Sequence, residues 1–509
     1  MISFIKNIKF NNILFLTLLG LIIFYGIYYH INVFILSTHN SFCNDECCIL
    51  LNAELPFFDL FKKLPSEQIT PPLFSIITKV IINKFGFDDI ILRIIPFSAN
   101  LLSILLFPFL SYKFLKNKFG ILSANLFFVL NQPIIFYSIF FKHYSFDILI
   151  TIIILIVAVF IKNKVISNKP AFCLGILSCI SILFSYTSFL IIICLFFAKF
   201  LYDKYVNKIT DFKPFLIFIL TISVFSLIMA FLSIIPIIQD EYLKSFWFFD
   251  NFYVQTLTIN NMGIKFIEQC INYFLINNVF ILIKFPVFLY FLILSLYIYY
   301  KEEKFKYFFF ISIIILIIFL SLLYIYPFGP SRATLYFIPI FILLIFKSFD
   351  IIFLKKPFLY CITIMLFLYN TYTCIYPNYK KLFIEKSEYE WSYTKYHHNL
   401  LYFSDITSND YIYGNWAAFM YYNKKQNIKL NDDSDIHFLD NINQLNKIKK
   451  NNIIFFCPYD NYNYETTEIQ NWIKENCKII YEITNNDLYL VKIIKCKKLQ
   501  TRINYTLKS

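Results

Sequence analysis

Two adjacent carboxylates, Asp45 and Glu46, stand in Cys43-Asn44-Asp45-Glu46-Cys47-Cys48, just beyond an apolar stretch from Ile13 to Leu36. Beside a membrane such a pair is costly unless it holds a cation or takes a proton from a substrate. Asp45 is the sharper candidate for a general base, because a carboxylate near lipid is a stronger base than one in water. Glu46 then orients the acceptor or helps to hold a divalent cation. A second group, Lys142-His143-Tyr144-Ser145-Phe146-Asp147, opens another apolar run. Tyr144 and Asp147 are three residues apart and share one helix face. An unpaired acid one turn into a membrane span is disfavoured, so Asp147 is expected to be paired or functional.

Arginine adds a third signal. Of the 46 basic residues only Arg93, Arg332 and Arg502 are arginine, and the first two border apolar runs. A chain this poor in arginine is expected to keep it where a rigid two-pronged donor is needed, as against phosphate. Arg93, Lys142 and Arg332 therefore form a candidate phosphate clamp, with His143 and Tyr144 in support. His143 and His39 read as satisfied polar residues rather than metal ligands. The twelve cysteines show no paired C-x2-C spacing, so most are small apolar fillers.

The elements that must position these residues are membrane helices. The chain of 509 residues is 59% hydrophobic and 15% charged, and its mean hydropathy is +0.62. Many apolar runs exceed the roughly 18 residues that mark a span. The formal charge of +14 does not point to nucleic acid, because the lysines cluster in short loops between apolar runs. Lys6 and Lys9 put the N-terminus in the cytoplasm, and no small-residue cleavage site follows the first span, which is therefore an anchor.

Parity of the lysine-rich loops then orders the crossings. Ile90 to Tyr112 is the second, whereas Pro71 to Phe85 covers only about 22 Å as a helix and lies along the outer surface within the loop 37–89. The chain leaves from Phe119 to about Tyr137 and returns from Tyr144 to Ile161. Pro170 to Leu201 would be about 48 Å as one helix, so it must be a hairpin of two, broken near Ser185-Tyr186-Thr187-Ser188. Spans at 214–237, 278–300, 307–326, 333–350 and 357–375 bring the total to eleven, N-in and C-out. The loop 239–277 carries Phe246-Trp247-Phe248-Phe249, a headgroup anchor or a lid over a lipid.

Polar residues dominate from Tyr376. Patterns at 410–413, 416–422, 452–457, 465–476, 479–483 and 488–494 suggest strands alternating with helices, one of them containing Trp472. The expected organisation is thus mainly α: a polytopic helical bundle over 1–375 and a small extracytoplasmic α/β domain over 376–509. Cys457 and Cys477 could pair there in an oxidising compartment.

Taken in order, five motifs resemble the C-type-fold glycosyltransferases that use polyprenyl-phosphate sugars, such as protein O-mannosyltransferases and lipid A aminoarabinose transferases. They are Asp45-Glu46, Pro71-Pro72-Leu73, Phe85-Gly86 with Leu92-Arg93-Ile94-Ile95-Pro96, Tyr137-Ser138 with Lys142 to Asp147, and Tyr326-Pro327-Phe328-Gly329 with Arg332. The likeness covers roughly residues 1–350. It departs at Thr70, where the family carries histidine or lysine before the two prolines. The resemblance implies a multi-pass protein of the inner (plasma) membrane that moves a sugar from a polyprenyl-phosphate donor to a lipid, glycan or protein acceptor on the outer face. The transfer requires no cofactor beyond the donor, a divalent metal ion being the one candidate. A flippase for lipid-linked sugars is the first rival and would place charges mid-helix in two repeat halves. The second is a noncatalytic membrane protein with an exterior binding domain, which has no need to gather acids and cations in its first third.

Overall fold

The computed structural model describes residues 12–38, 42, 44–65, 68–209, 211–239, 281–323, 325–326, 334–348 and 350, and five strands between 411 and 495. The chain forms two compact units. One takes in residues 1–35, 55–77 and 93–385; the other takes in 36–54, 78–92 and 386–509.

The described helices are α1 (Asn12–Ser37), α2 (Asn44–Asn52), α3 (Pro72–Phe85), α4 (Asp89–Phe114), α5 (Lys118–Val129), α6 (Gln132–Ile139), α7 (Tyr144–Ile161), α8 (Asn168–Phe184), α9 (Ser188–Tyr205), α10 (Lys213–Met229), α11 (Ile235–Ile238), α12 (Ile281–Glu302), α13 (Lys304–Leu322) and α14 (Phe337–Lys347); α2 belongs to the second unit, and α5 to α14 to the first. Five stretches are long and apolar enough to cross a bilayer: 12–35, 89–114, 144–161, 213–237 and 304–322. Ile13, Leu16 and Phe24 of α1, and Leu220 and Val224 of α10, point outward. Lipid accepts such side chains at no cost, and water does not. Ten of the eleven expected crossings fall on described helices, and the span 357–375 lies outside the described residues.

Proline explains two departures from plain helices. The expected crossing 119–137 is two pieces, α5 and α6, bent by 42°. Pro133 has no N–H to continue the ladder, and Asn131 caps the new helix by accepting from Ile134 N at 3.4 Å. In α10 the helix widens into a π turn over Ala230–Ile234 immediately before Ile235-Pro236. The Pro236 ring would clash with the carbonyl four residues earlier, and the wider turn relieves this.

The hairpin 168–205 breaks as expected. Ser185 is extended (φ −156°, ψ 108°), its N–H donates to Ser181 O at 2.9 Å, and Ser188 N–H donates back to Ser185 O at 3.1 Å. Gly26 of α1 lets that helix sit against Val129, where a Cβ would fall 2.8 Å away. One turn on, buried His30 donates from Nε2 to Val129 O at 2.9 Å and accepts from Asn100 Nδ2 at Nδ1, 2.8 Å. These bonds fix the neutral tautomer and tie α1, α4 and α5 together.

The lysines do more than mark loops. Lys347 is fully buried and pairs with Asp350 at 2.7 Å and Glu302 at 3.3 Å. Glu302 also takes Lys116 at 2.9 Å, while Glu303 takes Lys162 at 3.1 Å and Lys306 at 2.9 Å. Asp350 accepts the backbone N–H of Asn117 at 2.8 Å, and Lys306 donates to Lys113 O at 2.9 Å. Seven charged side chains thus bind one set of ends of α4, α5, α7, α12, α13 and α14.

The second unit contains a five-stranded sheet in the order β2-β1-β3-β5-β4. Its strands are β1 (Tyr411–Gly414), β2 (His437–Leu439), β3 (Ile453–Cys457), β4 (Cys477–Asn485) and β5 (Leu488–Lys495). β1 runs parallel to β2 and β3, and β5 runs antiparallel to β3 and β4. The segments 416–422 and 465–476, with Trp472, lie outside the described residues. The register keeps apart Cys457 and Cys477, whose pairing the sequence left open. Cys477 sits opposite Lys495, whereas Phe456 sits opposite Val491, so the cysteines flank opposite ends of β5. They are about 10 Å apart across two strands and about 17 Å along them. A disulfide needs Cα atoms within about 7 Å.

Candidate active site

In the second unit, α2 carries the acidic pair in its first turn, where the helix dipole favours negative charge. Cys47, Cys48, Ile49 and Leu50 are buried and hold the helix down, and Cys47 Sγ donates to the carbonyl of buried Phe42 at 3.8 Å. That packing separates the two acids. Glu46 is 3% exposed, whereas Asp45 keeps part of its surface. Lys79 of α3 donates to the carbonyls of Ala53 (3.2 Å) and Glu54 (3.1 Å), closing the far end of α2. Phe85-Gly86 has a local cause: Gly86 adopts φ +73° and its N–H caps α3 on Ile82 O at 2.8 Å. Asp88 then caps α4, accepting from Ile90 N and Ile91 N at 2.9 and 3.0 Å.

In the first unit, a tight turn sets the second group at the head of α7. Lys142 N–H donates to Phe140 O at 2.7 Å, and Phe146 and Asp147 N–H groups both donate to His143 O. Ser145 Oγ donates to Tyr137 O at 2.9 Å, which fixes α6 against this turn. Lys142 is buried, and its Nζ donates to Gln68 Oε1 at 2.6 Å. His143 Nε2 lies 3.7 Å from Asp147 Oδ2. The ring of Phe74, two residues after the double proline, packs on Phe141, His143 and Phe146 at centroid distances of 5.3, 6.3 and 5.8 Å. Tyr144 is flanked by His143 at 4.6 Å and Tyr137 at 5.1 Å. An ammonium, an imidazole and a carboxylate are therefore sealed among aromatic rings, a setting in which each charge acts with little water screening.

Lys142, His143, Tyr144 and Asp147 thus come together, and Arg93 is buried in the same unit, near the start of α4. Thr70, the departure from the resembling family, is buried too. Arg332, the residues 327–329 and the residues 246–249 lie outside the described residues; Tyr326 faces Tyr336 at 6.3 Å. Sequence reasoning missed Gln68, whose only signal is a lone amide in the polar stretch before the prolines. It also missed the hydroxyls of Ser185 and Thr187, which face Asp147. Among the described residues, no group of three His, Cys, Asp or Glu side chains is placed to hold a metal ion.

No known family profile matches the chain, and no characterised protein matches it. Among solved structures, the chain is similar to ArnT from Cupriavidus metallidurans, crystallised bound to undecaprenyl phosphate, at 10% identity. That match covers 94% of this chain and 97% of the other, with a TM-score of 0.48.

Proposed function

We propose that this chain is a membrane glycosyltransferase that moves a sugar from a polyprenyl-phosphate donor to an acceptor hydroxyl at the outer face of the membrane. The observation that carries the reading is the buried turn at the head of α7. It holds Lys142 on Gln68, beside His143, Tyr144 and Asp147, where an apolar helix begins. A lipid-borne anion calls for such a place: a desolvated cation for the phosphate and apolar surface for the chain. The ordered motifs from Asp45 to Arg332 support the same assignment.

In this reading Asp45 takes the proton of the acceptor hydroxyl as its oxygen attacks the anomeric carbon. The bond from that carbon to the phosphate oxygen breaks, and the polyprenyl phosphate leaves with the electron pair. Lys142, Arg93 and Arg332 neutralise the charge that builds on it, and inversion at the anomeric carbon follows from the single displacement. Glu46 orients the acceptor. Asp147, with His143 and Tyr144, sets the charge and shape of the pocket around the donor. The proposed topology is N-terminus in the cytoplasm and C-terminal domain outside, and the acceptor is a lipid, glycan or protein. Mass spectrometry of cell-surface glycans and glycolipids with and without the gene tests this. The proposal predicts one missing sugar and an accumulating lipid-phosphate sugar; unchanged profiles of both would overturn it.

A further inference from the structure

The head of α7 and the break between α8 and α9 enclose a carboxylate that the protein leaves partly unsatisfied. Asp147 is 2% exposed, and its Oδ1 accepts no hydrogen bond. Its Oδ2 is 3.7 Å from His143 Nε2, beyond hydrogen-bond range. The Ser185 and Thr187 hydroxyls, 2.9 Å from each other, stand as hydrogen-bonding neighbours of this carboxyl, and Oδ1 is the oxygen left without a partner. Phe146 stacks on Phe184 at 5.8 Å and 9°, so the helix head and the break are packed side by side. Ser188, three residues beyond Ser185, is fully buried, and its Oγ has no hydrogen-bond partner. An orphaned buried oxygen in a native structure calls for a cause, such as a bound ion.

The donors have a consistent chemistry. They are all oxygens, one from a carboxylate and the rest from hydroxyls, and they carry one negative charge. That set suits a hard cation and offers nothing to a soft one. A divalent ion would ask for further acids, and among the described residues no group of three or more His, Cys, Asp or Glu side chains is placed to hold a metal ion. The first turn of α7, where Asp147 stands, suits an anion by its dipole. We propose that Asp147, with the hydroxyls of Ser185 and Thr187, holds an alkali cation, sodium in the test below, at the break of the α8–α9 hairpin. The ion bridges α7 to the break and completes the coordination of Asp147 Oδ1. Tyr186, between the two hydroxyl residues, bonds Ser233 of the π turn at 2.9 Å, so the ion also steadies the path to α10. This inference does not depend on the sugar-transfer reading.

Thermal unfolding of the full-length protein in detergent, in sodium, potassium or choline chloride at equal ionic strength, tests it. Sodium should raise the midpoint over choline by about 2–5 °C and saturate with concentration, as mass action requires. Asp147→Asn and Thr187→Val should erase that rise, Thr187→Ser should retain it, and Asp203→Asn, a distant acid paired with Lys199, should leave it intact. Equal midpoints in sodium and choline would overturn the proposal, as would a sodium effect that survives Asp147→Asn. If Asp147→Asn fails to fold, the Thr187→Val and Thr187→Ser pair decides alone.

Discussion

Replacing Lys347 by methionine keeps the bulk of a fully buried side chain and removes its charge. The change strands two acids to different degrees. Asp350, with its side chain 5% exposed, loses a 2.7 Å partner but keeps the backbone N–H groups of Lys116 and Asn117. Glu302, 33% exposed, loses a 3.3 Å partner and keeps Lys116 at 2.9 Å. Breaking one side of a buried pair costs about 3–5 kcal/mol, and the surviving partners put Lys347→Met at the low end, about 3 kcal/mol. Asp350→Asn relieves the stranded charge, so the double variant should be no less stable than Lys347→Met alone. A double-mutant cycle by thermal or denaturant unfolding in detergent measures this, with an expected coupling of about 1–3 kcal/mol. A loss under about 1 kcal/mol, or strictly additive effects, would refute a load carried by the ion pair.

The same end of the bundle should respond to acid. Burial pushes the Glu303 carboxyl up, but its ion pairs with Lys306 and Lys162 outweigh this and hold it below the usual carboxylate range. A folded pKa below the unfolded one contributes stability above the unfolded value of about 4.3 and loses it as pH falls through the folded one. Unfolding midpoints should thus hold from pH 8 to 5 and fall below about pH 4, and Glu303→Gln should flatten that fall; an unchanged slope would contradict the assignment. Gly26→Ala drives a Cβ to within 2.8 Å of Val129 and should cost about 1–3 kcal/mol by overpacking. Val129→Ala removes the Cγ atoms at 2.8 and 3.3 Å but keeps the Cβ at 2.8 Å, so it should recover only part of that loss, and no recovery would place the strain elsewhere.

Much of the helical frame was legible because its causes are local. Apolar length and lysine loops marked the spans, and a run too long for one crossing, with Ser185-Tyr186-Thr187-Ser188 inside it, marked the hairpin break. The bend at Pro133 was hidden because its flanks are both apolar and together have the length of one span. The π turn before Pro236 was hidden likewise. The lysines at 116, 162, 306 and 347 read only as topology markers, since their acids lie as much as 186 residues away in the chain, a distance that folding alone closes. The register that separates Cys457 from Cys477 depends on β5 lying between β3 and β4, which spacing does not reveal. Within the site, the four residues of the α7 head were visible because they are neighbours in sequence. Gln68, 74 residues from Lys142, was not.

The central claim is that Asp45 is the base for sugar transfer from a lipid phosphate. It is tested most directly by adding polyprenyl-phosphate sugars to the purified protein and following release of polyprenyl phosphate in wild type, Asp45→Asn and Asp45→Glu. Wild type should turn over one donor class in the presence of acceptor. Asp45→Asn should lose about 10²–10⁴-fold in rate, the range for a general base, with its unfolding midpoint unchanged. Full turnover by Asp45→Asn would contradict the account.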